Sequence, residues 1–455
     1  MQHSIIQKSQ LEGALRLDAE YYQPEYLENA KRISTLPYEV KKFSDLASYI
    51  TNGHTPLHAD LSIGEVYFLT AEDIFDFFIN YETAKRITKL ASTRELKRTI
   101  LSNNDLLVTI KGRIGNAAVV YKLQQETNIN QDVARIVVKK GVNPFYIAAF
   151  LNSRFGKLQI ERIATNQINP FLGLGNLREL LIPVIEQDRQ QEIENLIKRG
   201  LDELEVSKHF YSQAEDLLLE ELGLEDFKVE EDLSYIVNLS EIKSAHRADA
   251  EYFQPKYEKI ISKIKYKMER LSNLLLSKGG TKKGIEIGSE QYQEEGKLFI
   301  RVSNLSKQGL VERDQKYLSE ELYQKLKKDF EPKVGEILLT KDATPGIAYL
   351  LKEPVEGIIA GGILRLKVKP DINPEYLVLV INSIVGQMQV EKDTGGSVIF
   401  HWRPDQIKNL LIPILPKPTQ QKIADLVQKS HEARKKAKQL LSKAKRKVEK
   451  LIEKN

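Results

Sequence analysis

Two loops of this chain carry residue types suited to contact with nucleic acid, and each follows a short apolar run that ends in threonine. The first reads Lys111-Gly112-Arg113 after Thr109, and the second reads Lys341-Asp342-Ala343-Thr344 after Thr340. Lysine and arginine can pair with guanine or with phosphate, and glycine permits close approach of a backbone. These loops are therefore the first candidates for a binding surface.

Further polar side chains extend this set. Amide pairs in the first half suit adenine edges, and cations in the second half suit phosphates. The alternative for each is an ordinary polar loop residue, and we interpret Trp402 as a packing residue rather than a base-stacking one. The candidate DNA-contacting residues are Lys111, Arg113, Asn130, Gln131, Asn166, Gln167, Lys282, Lys283, Arg301, Lys341, Thr344 and Arg403.

The motifs of a catalytic or cofactor site are not found. An N6-adenine methyltransferase needs an Asx-Pro-Pro-aromatic loop to hold its flipped base, whereas residues 143–145 and 169–171 read Asn-Pro-Phe and lack the second proline. We interpret both as turn and cap signals. Residues 173–175 are too short for a dinucleotide fingerprint, and no GxxxxGK[ST] occurs. The sequence predicts no catalytic residue and no cofactor site in this chain.

Metal-dependent chemistry has equally little support. His54 and His58 lie four residues apart, but a glycine and a proline nearby argue against a helix, and no third ligand follows. A nuclease needs clustered carboxylates with a lysine, and Asp342 beside Lys341 has no acidic counterpart in the related first half. The chain contains no cysteine, which excludes thiolate ligands and disulfides. No metal site is predicted.

An internal repeat organises the chain. LDAEYYQPEY begins at Leu17 and ADAEYFQPKY begins at Ala248, a shift of 231 residues. LNSRFG and INSIVG, and then ELLIPV and NLLIPI, recur at a shift of 230, and a Gln-Gln pair follows the last motif in both halves. Because the offsets agree within one residue, the chain is two copies of one unit.

Each copy has the same order of elements. Short β-branched runs between Gly and Asn predict strands, and a longer apolar run opened by Asn-Pro predicts a helix. The expected strands are 66–70, 105–110 and 117–121, with counterparts at 298–302, 336–340 and 347–351. The expected fold class is therefore α/β (α+β), with two repeated domains related by a pseudo-twofold axis.

A long stretch poor in Gly and Pro closes each copy. The later stretch has a heptad seam through Ile423, Val427 and Leu441, interrupted by Ser430 and Arg434. The earlier one has a similar seam, with Lys208 as its polar interruption. Residues 186–222 hold eleven acids and four bases, whereas residues 417–455 hold four acids and thirteen bases. Two long helices pairing as an antiparallel coiled coil are expected, with Asp202, Glu203 and Glu205 near Lys435, Lys436 and Lys438. The alternative for the lysine-rich stretch is a solvated face or a nucleic-acid arm.

Composition limits the class of protein. The 455 residues have 41% hydrophobic and 29% charged residues with a net charge of +5, typical of a globular chain. No apolar run spans a membrane and MQHSIIQKSQ lacks a signal core, so the expected location is cytoplasmic.

The duplicated DAEY-QP-Y, NS-x-x-G and IP…Gln-Gln-x-Ile motifs, in this order and covering almost the whole chain, resemble the specificity subunit of type I restriction–modification systems. The resemblance implies two target-recognition domains that each read half of a bipartite DNA sequence. It implies helices that act as spacer and dock two methyltransferase subunits, with restriction subunits completing the complex. S-adenosylmethionine, ATP and Mg²⁺ are then expected only in the partner subunits.

On this basis the expected segments are a first recognition domain at 1–185, a spacer helix at 186–225, a second recognition domain at 226–416 and a spacer helix at 417–455. The first copy departs from the family pattern after Ile182-Pro183, and the resemblance provides no map of base contacts. Two alternatives stay open: a stand-alone methyltransferase or nuclease with a divergent site, and a coiled-coil adaptor that does not bind DNA.

Overall fold

A computed structural model describes residues 4–14, 16–56, 64–165, 169–230, 232–312, 314–394 and 400–454. The chain divides into two compact units. Unit 1 contains Met1–Glu205 together with Ala433–Asn455, and unit 2 contains Val206–Glu432. Helix and sheet are mixed in both units, which confirms the coarse fold class. Among the described residues, no helix combines the length and the apolar character needed to cross a bilayer.

Unit 1 is built around a four-stranded antiparallel sheet, a three-stranded sheet and a two-stranded ribbon. The first sheet has the order Ala47–Asn52, Val133–Val138, Leu106–Thr109 and Ala117–Val119. The second has the order Lys85–Ile87, Val66–Leu69 and Thr127–Ile129, and its last two strands are parallel. The ribbon pairs Glu39–Lys42 with Leu181–Val184. The three expected strands of the first copy are thereby confirmed.

Three short helices of unit 1 begin at a side-chain cap, namely Thr88, Ser153 and the asparagine of the Asn-Pro helix. Asn143 accepts hydrogen bonds from the backbone N–H groups of Phe145 and Tyr146, at 3.0 and 3.1 Å, as the cap interpretation predicts. The α-helices are Lys8–Ala14, Pro24–Ser34, Phe43–Leu46, Lys89–Arg94, Pro144–Asn152, Arg154–Ile163 and Leu174–Glu179, with 3₁₀ turns at Ala19–Tyr22 and Lys97–Thr99.

Unit 2 repeats this arrangement. Its four-stranded sheet has the order Thr281–Lys283, Ile363–Leu366, Ile337–Thr340 and Ala348–Leu350. Its three-stranded sheet has the order Lys316–Leu318, Lys297–Ile300 and Gly357–Ile359, again with one parallel pair. Met268–Arg270 pairs with Leu411–Pro413, and Leu305–Ser306 with Gly309–Leu310. The expected strands of the second copy are confirmed as well.

The helices of unit 2 follow the same order as those of unit 1. Asn373 caps the second Asn-Pro helix through the backbone N–H of Glu375, at 2.9 Å. The α-helices are Leu239–Ala245, Lys256–Lys263, Leu271–Leu274, Glu320–Phe330, Pro374–Asn382, Ile384–Thr394 and Pro404–Asn409. The 3₁₀ turns are Ala250–Phe253, Ser289–Gln291 and Val302–Asn304.

The repeated motifs hold the core of each unit together. In unit 1 the asparagine of LNS, Asn152, is buried and exchanges two hydrogen bonds with the backbone of Ala117, at 2.7 and 2.9 Å. In unit 2 Asn382 does the same with Ala348, at 2.8 and 2.9 Å. The Asn-Pro helices are buried along their length. The asparagine of the repeated NS motif thus has a structural role, since its buried side chain is hydrogen-bonded to a strand of the same unit.

Two long helices contribute to both units: the central helix, Gln187–Leu222, and the C-terminal helix, Lys417–Glu453. Two ion pairs show that they run antiparallel in unit 1: Glu192 with Lys447, and Glu203 with Lys436. The apolar side chains Ile193, Ile197 and Leu201 share a core with Leu441, Val448 and Ile452. The expected proximity of the acidic and lysine-rich residues is therefore confirmed at Glu203 and Lys436.

In unit 2 the other halves of these helices also pack together. Ala214, Leu218 and Leu222 share a core with Ile423 and Val427. The buried hydroxyl groups of Ser207 and Ser430 lie 3.0 Å apart. The polar interruption of the central seam is therefore Ser207 and not Lys208, which was wrong by one residue. A small hydroxyl fits between two backbones, whereas a lysine side chain extends from the edge toward water.

Candidate nucleic-acid interface

A buried threonine holds each candidate loop at its base. In unit 1 the hydroxyl of Thr109 donates to the carbonyl of Arg113 and accepts from the backbone N–H of Asn116 at 2.9 Å. In unit 2 the hydroxyl of Thr340 donates to the carbonyl of Thr344 at 2.6 Å and accepts from the backbone N–H of Ile347 at 2.9 Å. Both threonines are fully buried. The two loops therefore share one geometry.

This geometry aligns the loops residue by residue. Lys111, Gly112 and Arg113 occupy the positions of Asp342, Ala343 and Thr344. Gly112 and Ala343 both have positive φ, 74° and 59°. Equivalent positions in the two units therefore carry side chains of opposite charge, lysine in the first and aspartate in the second.

A second chain segment supports each loop. In unit 1 the backbone N–H of Leu172 donates to the backbone carbonyl of Ile110 at 2.8 Å, and Lys111 forms an antiparallel β-bridge with Phe171. In unit 2 the backbone N–H of Trp402 donates to the backbone carbonyl of Lys341 at 2.7 Å, and Asp342 forms an antiparallel β-bridge with His401. Strand end, loop and supporting segment thus form one small platform in each unit.

Trp402 is the apolar centre of the platform in unit 2. It is 1% exposed, and its indole N–H donates to a carboxylate oxygen of Asp393 at 2.9 Å. Burial raises the pKa of Asp393, and the indole hydrogen bond opposes that rise. The interpretation of Trp402 as a packing residue is confirmed.

The loop of unit 1 presents cations beside aromatic rings. Lys111 is exposed, and the guanidinium of Arg113 lies 5.3 Å from the ring centre of Phe75. The ring of Phe75 is stacked on that of Phe78, with centres 4.8 Å apart. A guanidinium above a ring keeps its charge and its donors while its position is restricted. No sequence motif indicated that Phe75 and Phe78 lie beside this loop.

The loop of unit 2 presents a carboxylate instead. Asp342 accepts a hydrogen bond from the ammonium of Lys341, and its other oxygen lies 2.9 Å from Nδ1 of His401. Burial alone would raise the pKa of Asp342, but the hydrogen bonds from Lys341 and His401 outweigh it and lower the pKa. Asp342 is therefore an ionised acceptor at neutral pH.

The structure commits several candidate residues to other partners. The Lys341 side chain is only 11% exposed, because its ammonium is bound to Asp342. Arg301 donates to a carboxylate oxygen of Asp314 at 2.7 Å. Asn130 is 6% exposed and its amide donates to Asp132 at 2.8 Å, which is the geometry of a turn. Direct base contact by Lys341, Arg301 and Asn130 stays a prediction.

Other candidates are exposed. Lys282 and Lys283 lie on the edge strand Thr281–Lys283, and Thr344 lies at the loop tip. The side chain of Arg403 is 67% exposed beside Asp405. Gln131 is exposed and accepts from the hydroxyl of Thr55 at 2.8 Å. Asn166 and Gln167, which are also predicted to contact DNA, lie outside the described residues.

The DAEY segments pack against the units through their aromatic rings. Tyr21 lies between the guanidinium groups of Arg16 and Arg162, at 4.6 and 4.3 Å from its ring centre. Tyr252 lies between Arg247 and Lys392, at 4.5 and 5.0 Å. Both tyrosines are half-buried.

Metal ligands do not cluster in the parts of the chain that the structure describes. No group of three or more His, Asp or Glu side chains there is arranged to hold a metal ion. His54 is described, whereas His58 lies outside the described residues.

Part of this chain is similar to proteins of a known family. A family model for the type I restriction modification DNA specificity domain matches residues 263–443. The type I restriction enzyme MjaIX specificity subunit of Methanocaldococcus jannaschii is 23% identical over 279 residues. That alignment covers 60% of this chain and 60% of the relative, less than two thirds of the archaeal protein.

Solved structures of the same class also match. The type I restriction-modification S subunit from M. genitalium has 13% identity and a TM-score of 0.43, covering 92% of this chain and 96% of that one. The HsdS subunit from Thermoanaerobacter tengcongensis has 13% identity and a TM-score of 0.30, covering 92% and 97%. The resemblance drawn from the duplicated motifs is confirmed by the family model and the archaeal relative. The chain is therefore similar to the specificity subunits of type I restriction–modification systems, and its residues 263–443 are matched by their DNA specificity domain.

Proposed function

We propose that this chain is the non-catalytic subunit that reads a bipartite DNA target, one half-site for each unit. The observation that carries the proposal is the duplicated platform, in which a buried threonine fixes a polar loop in the same geometry in both units. Two loops of one geometry with different side chains suit two half-sites of different sequence. In this proposal the recognition domains are 1–185 and 226–416.

The long helices, in this proposal, are the spacer and the docking site for two methyltransferase subunits, with restriction subunits completing the assembly. The antiparallel contacts found inside each unit support the pairing of 186–225 with 417–455. Because S-adenosylmethionine, ATP and Mg²⁺ would be used by the partners, this chain needs only to bind DNA and protein.

The test changes the length of the helices. One heptad is inserted into both long helices, after Glu205 and after Glu432, and the chain is co-expressed with its methyltransferase subunits. Seven residues add about 10.5 Å of helix, which corresponds to about 3 base pairs of duplex. Methylation sequencing is expected to find both half-sites intact and the unread spacer longer.

The matched control places the same seven residues after Lys228, outside both helices, and should leave the spacer unchanged. Altered half-sites with the original spacer in the heptad variant would contradict the proposal.

The alternatives have their own discriminating measurements. Methylation or cleavage of DNA by the purified chain alone, with S-adenosylmethionine or Mg²⁺, would identify an enzyme. An adaptor that does not touch DNA would show no salt-dependent binding of duplex by the assembled complex, whereas each phosphate contact lowers the logarithm of affinity steeply with salt.

A further inference from the structure

Asp342 stands at a place where a negative charge is costly in a DNA-binding platform. It occupies the position of Lys111, next to the loop tip at Thr344. DNA phosphates repel a carboxylate, so an acid here weakens non-specific binding unless a base edge supplies a hydrogen-bond donor. The charge of Asp342 therefore needs an explanation that a lysine at the same position does not.

The surrounding contacts hold this carboxylate ionised and fixed. Lys341 and His401 each bond to one of its oxygens. The backbone N–H of Ala343 donates to the backbone carbonyl of Phe400 at 3.0 Å, and that of Thr344 donates to the backbone carbonyl of Asp342 at 2.7 Å, so backbone hydrogen bonds close the turn. A carboxylate has about four lone-pair sites, and two side-chain donors leave acceptor capacity. The side chain is 22% exposed.

Only two major-groove groups match an ionised acceptor. Cytosine presents its N4 amino group there and adenine its N6 amino group, whereas guanine and thymine present acceptors or a methyl group at the corresponding edges. A fixed carboxylate therefore selects for the amino bases and against the other two.

We propose that Asp342 is a specificity-determining residue of unit 2, whose carboxylate accepts a hydrogen bond from the exocyclic amino group of a cytosine or an adenine in the second half-site. This inference rests on the proposed function. Lys111 at the same position of unit 1 would instead favour guanine, so the two half-sites differ in chemistry at equivalent places.

The test uses the complex of the full chain with its methyltransferase subunits and a library of duplexes randomised in both half-sites. Asp342→Asn keeps the shape of the side chain but replaces one acceptor by an amino donor. We expect discrimination at one base pair of the second half-site to fall about tenfold, with the first half-site and the melting temperature unchanged. Asp371→Asn, at an exposed position away from the loop, is the matched control and should behave as the wild type.

Wild-type discrimination by Asp342→Asn at every position of the second half-site would overturn the inference while leaving the bipartite function standing. Absence of any bipartite target for the wild-type complex would instead overturn the proposed function. If Asp342→Asn lowers the melting temperature, His401→Ala separates the two roles, because it removes one support and keeps the carboxylate. Retained base preference in His401→Ala then supports the inference, and the same loss as in Asp342→Asn overturns it.

Discussion

At the scale of single residues, the backbone of Ala343 has a φ of 59°, in the left-handed region that glycine adopts without steric cost. Its equivalent Gly112 has a φ of 74°, and a Cβ atom there would meet no atom within 4 Å. Ala343 therefore has the backbone strain that Gly112 avoids, whereas a Cβ atom at Gly112 would have room. Substitutions at these two positions can therefore measure the free-energy cost of a positive φ at a residue with a Cβ atom.

We predict opposite effects of exchanging these residues. Ala343→Gly should raise the free energy of unfolding by up to about 1 kcal/mol, and Gly112→Ala should lower it by about 1 kcal/mol. Urea unfolding of both variants checks this. A change of the same sign in both would show that something other than backbone strain dominates at these turns.

Only part of the residue-scale picture could be predicted from the sequence. The loops after Thr109 and Thr340 were found because they recur. The roles of Lys341 and Asp342 were not predictable, because side-chain direction at a strand end depends on which face the supporting segment covers. The hydrogen bond from Asn130 to Asp132 was not predictable either, since an amide that suits adenine equally suits a turn.

At the scale of elements, helix starts and apolar strands were well predicted, because caps and periodicity are local properties. The helix Pro374–Asn382 begins after Asn373, as its copy begins after Asn143. Its first turn carries a feature that no local pattern reveals. Glu375 is 8% exposed and is bound to Lys352, and one of its oxygens lies 3.9 Å from Nε2 of His431.

This buried carboxyl predicts a pH dependence of stability. Burial raises the pKa of Glu375, and the contact with Lys352 only partly opposes it. Since the folded state holds the proton more tightly, this contribution to stability is complete below the unfolded pKa of about 4.5 and is lost as pH rises through the folded pKa. The wild type minus Glu375→Gln difference in unfolding free energy should therefore decrease from pH 4.5 to pH 8.

Urea titrations at both pH values measure that difference, with Asp371→Asn as the exposed control. A difference that grows with pH would mean that the pair with Lys352 outweighs burial.

At the scale of the whole molecule, the boundaries of the units depend on long-range packing. Both spacer helices are predicted from the sequence as separate segments, whereas each compact unit includes about half of each helix. The reason is that Leu441, Val448 and Ile452 share the core of unit 1, while Ile423 and Val427 share the core of unit 2. Such a division requires knowing which side chains meet across more than 200 residues. The segment boundaries at 185, 225 and 416 stay a prediction.

Removing residues 433–455 should therefore damage unit 1, although the rest of that unit, residues 1–205, is remote from them in sequence. We expect loss of amide-exchange protection around Ile193, Ile197 and Leu201, and retention in the four-stranded sheet of unit 2. Hydrogen exchange with mass spectrometry reads both. Val448→Asp should produce the same pattern and Lys443→Ala, on an exposed face of the same helix, should not. Equal loss of amide-exchange protection in both units would contradict this division of the chain.

The same interleaving sets an order of events on the ribosome. Val206–Glu432 is one uninterrupted stretch and can fold as soon as it has left the exit tunnel, whereas residues 1–205 lack part of their core until residues 433–455 have also been synthesised. The nascent N-terminal half must therefore wait with Ile193, Ile197 and Leu201 uncovered, and chaperone dependence during biosynthesis should concentrate there.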